Sequence, residues 1–318
     1  MSTNTTDRLA EAQAALAASP SDAARHTELG MALFHLDRFG EALAAFQQAL
    51  ALDPRSPEAH NGVGRVHYHL GPPEAAIAAY TRAIELDPQY VPGYWGLGIL
   101  YYAQLGAYDQ AVAIFEQGLA AIPAETGFYE GIGQARARKG ELDLAIEAFA
   151  TAARLDPASS GPEHNRGIIH LRRGEFPAAL AAMQRAIALE PSDASAHRVL
   201  GFAHDRLGQA EQAVAALERA VALDPADYEA WGGLARALRA AGRPAEAEAA
   251  EARGQPLAEE TNEYGRACYA AVIGDEHLAV ELFEIALARG QLTPGWARLD
   301  PEFVFVQDNP RYRALLGL

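Results

Sequence analysis

The stretch "ELDPQYVPGYWGLGILYYAQLGAYDQAVAIFEQGLAAIP", Glu85 to Pro123, runs from one proline-closed phrase to the next. The same phrase returns along the chain. Prolines stand at Pro20, Pro54, Pro88, Pro123, Pro157, Pro191 and Pro225, at spacings of 34, 34, 35, 34, 34 and 34 residues, and five of them follow "LD" or "LE". A fixed period of this length marks a repeat array. Each proline closes a helix, because it cannot continue one and restricts the residue before it.

Registering the chain on these prolines aligns further columns. Gly30, Gly64, Gly133, Gly167 and Gly201 lie 24 residues before a proline, and Gly98 lies 25 before, so the third unit carries one extra residue between Gly98 and Gly106. Ala42, Ala76, Ala111, Ala145, Ala179 and Ala213 form a small column, and Phe46, Tyr80, Phe115, Phe149, Met183 and Leu217 a large one. Small residues at fixed places let two helices approach, and large ones at helical spacing fill the gap. The unit therefore reads as helix, tight turn at "LG", "KG" or "RG", helix, and proline-bounded loop.

These columns make the chain resemble the tetratricopeptide repeat family. The third unit carries the family's pattern through Tyr94, Leu97, Gly98, Tyr101, Gly106, Ala111, Phe115, Gly118 and Pro123. The resemblance implies an all-α, right-handed superhelical solenoid of antiparallel helix pairs. Seven units are expected over residues 23–254, starting at 23, 57, 91, 126, 160, 194 and 228, with a degenerate eighth over 255–290. Residues 1–22 and 291–318 are expected to cap the ends, the tail through Trp296, Leu299, Phe303, Tyr312, Leu315 and Leu316, since an open end exposes an apolar face. A bend or local mobility is expected at "EARGQPLAEETN", where the period slips.

Composition narrows the function. A net charge of −16, from 26 basic against 42 acidic residues, disfavours nucleic acid, whose backbone is bound by clustered cations. No run of eighteen apolar residues offers a membrane span. The first residues lack a basic and apolar leader pattern, and Cys268 is the single cysteine, so the expected location is cytoplasmic. The serines sit at helix starts and loops, where N-capping explains them, and no G-x-S-x-G occurs. Only Lys139 is lysine, and "GLG" and "GIG" are read as lying inside helices, so no phosphate loop is expected. His35, His60, His67 and His69 lack a carboxylate or cysteine at a familiar ligand spacing, while His26, His60 and His197 occupy a packing position. No catalytic residue, metal or cofactor is expected, and the chain is read as a non-enzyme.

In the family, first-helix positions 2, 5, 6, 9, 12 and 13 face a concave groove that binds peptide segments. Mapped here, the candidates in the first three units are Phe34, Asn61, Arg65, Tyr68, Trp95, Ile99 and Tyr102, with Trp95 the leading anchor. Those in later units are Arg138, Arg172, Arg198, Phe202, Arg206, Arg236 and Arg239, a locally basic surface suited to an acidic peptide. Arginines at position 13 have a second explanation, because that position ends a helix whose dipole favours a cation. Gly62, Gly96, Gly131 and Gly233 are expected to deepen the groove floor. The family's carboxylate clamp is absent, its places being taken by Asn61, Arg65, Gly96, Gly127 and Gly131. The expected function is a protein-binding scaffold, monomeric with self-association allowed, for partners that are acidic or carry aromatic and apolar anchors. Two alternatives stand beside it: a regulatory or substrate-recruiting subunit of a separately encoded enzyme, and a small-ligand or metal receptor.

Overall fold

A computed structural model describes residues 3–297 and 300–318. The Trp296 side chain and Leu299, named above for the tail, lie outside the described residues. All regular structure among the described residues is helical, and the chain divides into two compact units, Met1–Ala135 and Arg136–Leu318.

The first unit contains α1 (Thr3–Ala18), α2 (Ala23–Phe34), α3 (Phe39–Leu52), α4 (Pro57–Leu70), α5 (Pro73–Leu86), α6 (Val91–Ile99) and, beyond a π-helical segment, α7 (Tyr108–Ala121). Helix α8 (Thr126–Lys139) holds the division between the units. The second unit continues with α9 (Leu142–Leu155), α10 (Gly161–Arg172), α11 (Phe176–Leu189), α12 (Ala194–Arg206), α13 (Ala210–Leu223), α14 (Tyr228–Ala240), α15 (Pro244–Glu259), α16 (Glu263–Ile273) and α17 (Glu276–Ala288). It ends in α18 (Pro294–Ala297), a 3-10 segment Pro301–Phe305, and α19 (Pro310–Leu316). Pairing is sequential: α2 packs on α3, α4 on α5 and α6 on α7 in one unit, and α10 on α11, α12 on α13, α14 on α15 and α16 on α17 in the other. Each unit is thus an α-solenoid, in which an element contacts mainly its neighbours in sequence.

One large side chain per pair sets the spacing. The Phe46 ring is fully buried between Gly30 of its own pair and Gly62 of the next, and a Cβ added at either glycine would fall within 3 Å of the ring. Tyr80 sits the same way between Gly64 and Gly96, and Phe115 between Gly98 and Gly131. In the second unit Leu217 lies against Gly201, and Phe202 faces Gly233. This corrects the expectation for Gly62, Gly96, Gly131 and Gly233. The space beside them is filled by the protein's own rings, although Gly96 also lines the first unit's groove.

Two hydrogen-bond devices repeat. At the turns between paired helices, Gly208 adopts φ 71°, a left-handed conformation that costs glycine nothing, and the following Gln209 N–H reaches the His204 carbonyl at 3.0 Å to close α12. In the loops, aspartate Oδ1 of each "LDP" accepts a backbone N–H two residues on, as Asp53 does from Arg55 at 2.9 Å. A ring at position 4 of the next helix then reaches the proline carbonyl. His60 Nε2 meets Pro54 O at 3.0 Å, Tyr94 donates to Pro88 O at 3.1 Å, His197 meets Pro191 O at 3.3 Å and Trp231 donates to Pro225 O at 3.0 Å. Histidine here does the work of tyrosine and tryptophan, tying a loop to the helix that follows.

The extra residue of the third unit is absorbed in the π-helical segment Leu100–Gln104, where the Leu105 N–H reaches back five residues to the Leu100 carbonyl at 3.2 Å. Later, α15 runs on through Pro256 to Glu259, so residues 255–259, expected in the joint, form the last turn of a helix.

Replacing Gly96 by alanine tests the ring packing against helix propensity. Alanine favours the helix by about 1 kcal/mol, but overpacking against the buried Tyr80 ring costs about 1–3 kcal/mol, so Gly96→Ala is expected to lower stability in urea denaturation. Gly40, with no atom within 4 Å of an added Cβ, is the control, and Gly40→Ala is expected to stabilise by about 0.5–1 kcal/mol. Equal effects at both positions would contradict the packing account.

Candidate functional site

In the first unit, six of the sequence-selected residues come together. Phe34 of α2, Asn61, Arg65 and Tyr68 of α4, and Trp95 and Ile99 of α6 line one groove of about 460 Å³, with Tyr80 and Gly96 at its base. The Arg65 guanidinium lies 4.2 Å over the Phe34 ring, and its Nη1 meets the Met31 sulfur at 3.5 Å. Such stacking holds the cation in place without removing its donors from solvent. Asn61 is 6% exposed, and its Oδ1 has no hydrogen-bond partner among the described residues. A buried acceptor left unpaired costs about 1–3 kcal/mol, which a donor from a bound segment would recover. The groove adjoins a cavity of about 610 Å³ lined by Arg8 and Glu11 of α1 with Thr27, Met31 and His35 of α2. There burial, followed by the charges of Arg65 and Arg8, lowers the His35 pKa.

Two candidates differ from the reading of the sequence. Trp95 lines the groove but also packs edge-on against Phe115 at 5.2 Å and lies 6.3 Å from Phe128, and a Cβ at Gly127 would sit 2.7 Å from its indole. It is therefore both wall and core. Tyr102, displaced into the π-helical segment, is not among the groove's lining residues, and its ring packs against Tyr108 at 5.8 Å.

The second unit presents a different picture, because the chain's own tail lies on Arg172, Arg198, Phe202 and Arg236. The 3-10 segment Pro301–Phe305 packs against α10 and α16. Arg198 Nη1 lies 3.2 Å from Glu302 and 3.3 Å from Asp227, and also pairs with Glu229. Phe305 meets the buried Phe202 edge-on at 5.2 Å, and Arg236 lies 4.3 Å over the Phe305 ring while its Nε donates to Asp205 at 2.9 Å. Arg172 donates to the Tyr312 hydroxyl at 3.3 Å, Arg206 lies 5.5 Å over Phe176, and Arg239 pairs with Glu251. Arg138 stands in the last turn of α8. The expected basic surface is thus corrected: Arg172, Arg198, Arg206, Arg236 and Arg239 are engaged within the unit, and acid groups balance three of them.

Burial pushes the Glu302 and Asp300 carboxyls above the usual carboxylate range, against the pull of Arg198 on each. Burial also disfavours the charge on Arg198, but Glu302, Asp227 and Asp300 outweigh it and keep the guanidinium protonated. On the loop side of the same helices, His164 Nδ1 meets Asp193 at 2.7 Å and its Nε2 lies 3.5 Å from Ser195 Oγ. Asp193 also accepts the Ala196 N–H as the N-cap of α12, so the arrangement fastens α10 to the start of α12.

Tetratricopeptide repeat models match residues 8–57, 27–91 and 164–211, residues 71–127 and 206–271, and residues 127–159. The chain belongs to the tetratricopeptide repeat family. No curated protein matches the sequence. Among solved structures, the Cut9–Hcn1 hetero-tetramer of the APC/C is similar at TM-score 0.57 and 17% identity, over 89% of this chain and 52% of that one. PilF of Pseudomonas aeruginosa is similar at TM-score 0.55 and 17% identity, over 64% and 92%. MamA is 26% identical at TM-score 0.47, over 52% and 91%. The first two establish a shared fold. Among the described residues of this tetratricopeptide repeat chain, no helix is long and apolar enough to cross a membrane, and no group of three or more His, Cys, Asp or Glu is placed to hold a metal ion.

Arg198 is the charge on which the covered face of the repeat array depends. Removing one member of a buried ionic cluster costs about 3–5 kcal/mol, so Arg198→Ala is expected to lose that much stability in urea denaturation. The tail carboxyls give a pH dependence of definite sign. Their folded pKa values are raised, so the stability they contribute is fully present below about pH 4, the ordinary carboxylate value, and is lost as pH rises through the raised values. As pH is raised from about 4, stability should fall less steeply in Glu302→Gln than in the native chain, and equal slopes would contradict the assignment.

Proposed function

We propose that this chain is a non-catalytic scaffold that binds a segment of a partner protein in the groove of its first unit. One observation carries the reading: Phe34, Asn61, Arg65, Tyr68, Trp95 and Ile99, chosen from family register and residue type, line a single groove. The groove combines aromatic walls, a stacked guanidinium and a buried unpaired amide oxygen. An extended segment suits it, since a backbone N–H can satisfy Asn61, an aromatic or aliphatic side chain can fill the space between Tyr68 and Trp95, and a carboxylate can approach Arg65. In this reading the repeat units begin at 23, 57, 91, 126, 160, 194 and 228, and the protein works as a monomer in the cytoplasm.

Tyr68 is the better probe than Trp95, because Trp95 also supports Phe115 and Phe128. Peptides of twelve residues selected by display on the intact protein are expected to carry an aromatic or large aliphatic anchor. Fluorescence anisotropy should show Tyr68→Ala weakening an enriched peptide at least tenfold, about 1.4 kcal/mol, with the melting temperature little changed. Failure to enrich any peptide, or unchanged affinity in Tyr68→Ala, would remove the support for this groove.

A further inference from the structure

The face of α12 and α14 that carries Arg198 and Arg236 uses the same repeat positions, 5 and 9, that put Asn61, Arg65, Trp95 and Ile99 on the first unit's groove. In the second unit that face is covered by residues 300–306. Glu302 supplies a carboxylate to Arg198, and three residues later Phe305 supplies a ring to the slot between Phe202 and Arg236. We propose that this face is a second peptide-binding site, held closed by the chain's own tail, and that its external ligand is a partner segment presenting a carboxylate three residues before a phenylalanine.

The tail is an incomplete ligand for the site. Glu302 approaches Arg198 through Nη1, while Arg198 Nε is buried without a hydrogen-bond partner among the described residues. A carboxylate can engage Nε and a terminal nitrogen of one guanidinium together, and that bidentate geometry is the stronger one. The tail also brings two acids, Asp300 and Glu302, to a guanidinium that already faces Asp227 and Glu229. An incoming segment with one carboxylate would satisfy the donors with less crowding of like charge. Phe303 belongs to a separate cluster, stacked on Tyr312 at 5.2 Å and edge-on to Phe283 at 5.0 Å. The tail can therefore stay tethered at Phe303 and α19 while Glu302 and Phe305 leave the face.

The probe is the fluorescein-labelled peptide DPEFVFVQDN, the sequence of residues 300–309. It is titrated against the intact chain and against the full-length double variant Glu302→Ala, Phe305→Ala. The variant is expected to bind at least tenfold more tightly than the native chain. Adding Arg198→Ala should abolish the gain, while adding Tyr68→Ala should not, which separates this site from the first unit's groove. Equal affinity for native and variant chains, or no binding by a variant that keeps its circular dichroism, would overturn the proposal. Hydrogen exchange on the native chain decides the matter if the variant does not fold. Amides of residues 302–306 should exchange at least tenfold faster than those in the middle of α12, and exchange of both only through one global unfolding would overturn it.

Discussion

A large side chain wedged between two glycines is the contact on which the rest of the first unit depends. Tyr80 touches Gly64 within its own helix pair and Gly96 in the next, so one ring sets both the separation within a pair and the step to the following pair. The two glycines cost their helices about 1 kcal/mol each, while burying a ring of this size returns about 1.5–3 kcal/mol and fixes the geometry. Phe46 and Phe115 repeat the arrangement. Where the flexible Met183 replaces the ring, Val199 stands in the register position of the second glycine and both are fully buried. The surface formed by positions 5, 9 and 12 of successive first helices follows from this step, because it brings Asn61 and Trp95, one unit apart, to one groove.

Much of this was legible in the sequence because repetition turns tertiary contacts into columns. The proline ruler marks the helix pairs, and the spacing of 35 announces an insertion, though only the Leu105 to Leu100 hydrogen bond shows that a π-helical turn takes it up. The histidines at position 4 share a column with Tyr94 and Trp231, and that equivalence is the available sign that they bond a loop carbonyl. The glycines at position 6 are visible in the sequence, but nothing local tells whether missing volume faces a partner or a ring of the preceding pair.

The tail was not legible. Arg198 and Glu302 are 104 positions apart in a part of the chain that has left the repeat, so no column relates them. The available signal was chemical: "EFVFV" is an acid followed by alternating aromatic and β-branched residues, a poor composition for an exposed end and a good one for a segment laid across a groove. In a chain of net charge −16, Arg198, Arg236 and Arg239 of the second unit pair with internal acids. Positions 5 and 9 thus line a groove in the first unit, while in the second the tail lies on Arg198, Phe202 and Arg236.

The measurement that bears most directly on this account is a hydrogen-exchange footprint of the intact chain saturated with a peptide selected on it. Protection is predicted in α4 and α6, over residues 61–69 and 91–99, with α3 and α5 unchanged. Protection confined to α3, α5 and α7, the second helices of the pairs, would place the binding surface on the opposite side of the array and contradict the reading of the first-helix face as the functional one.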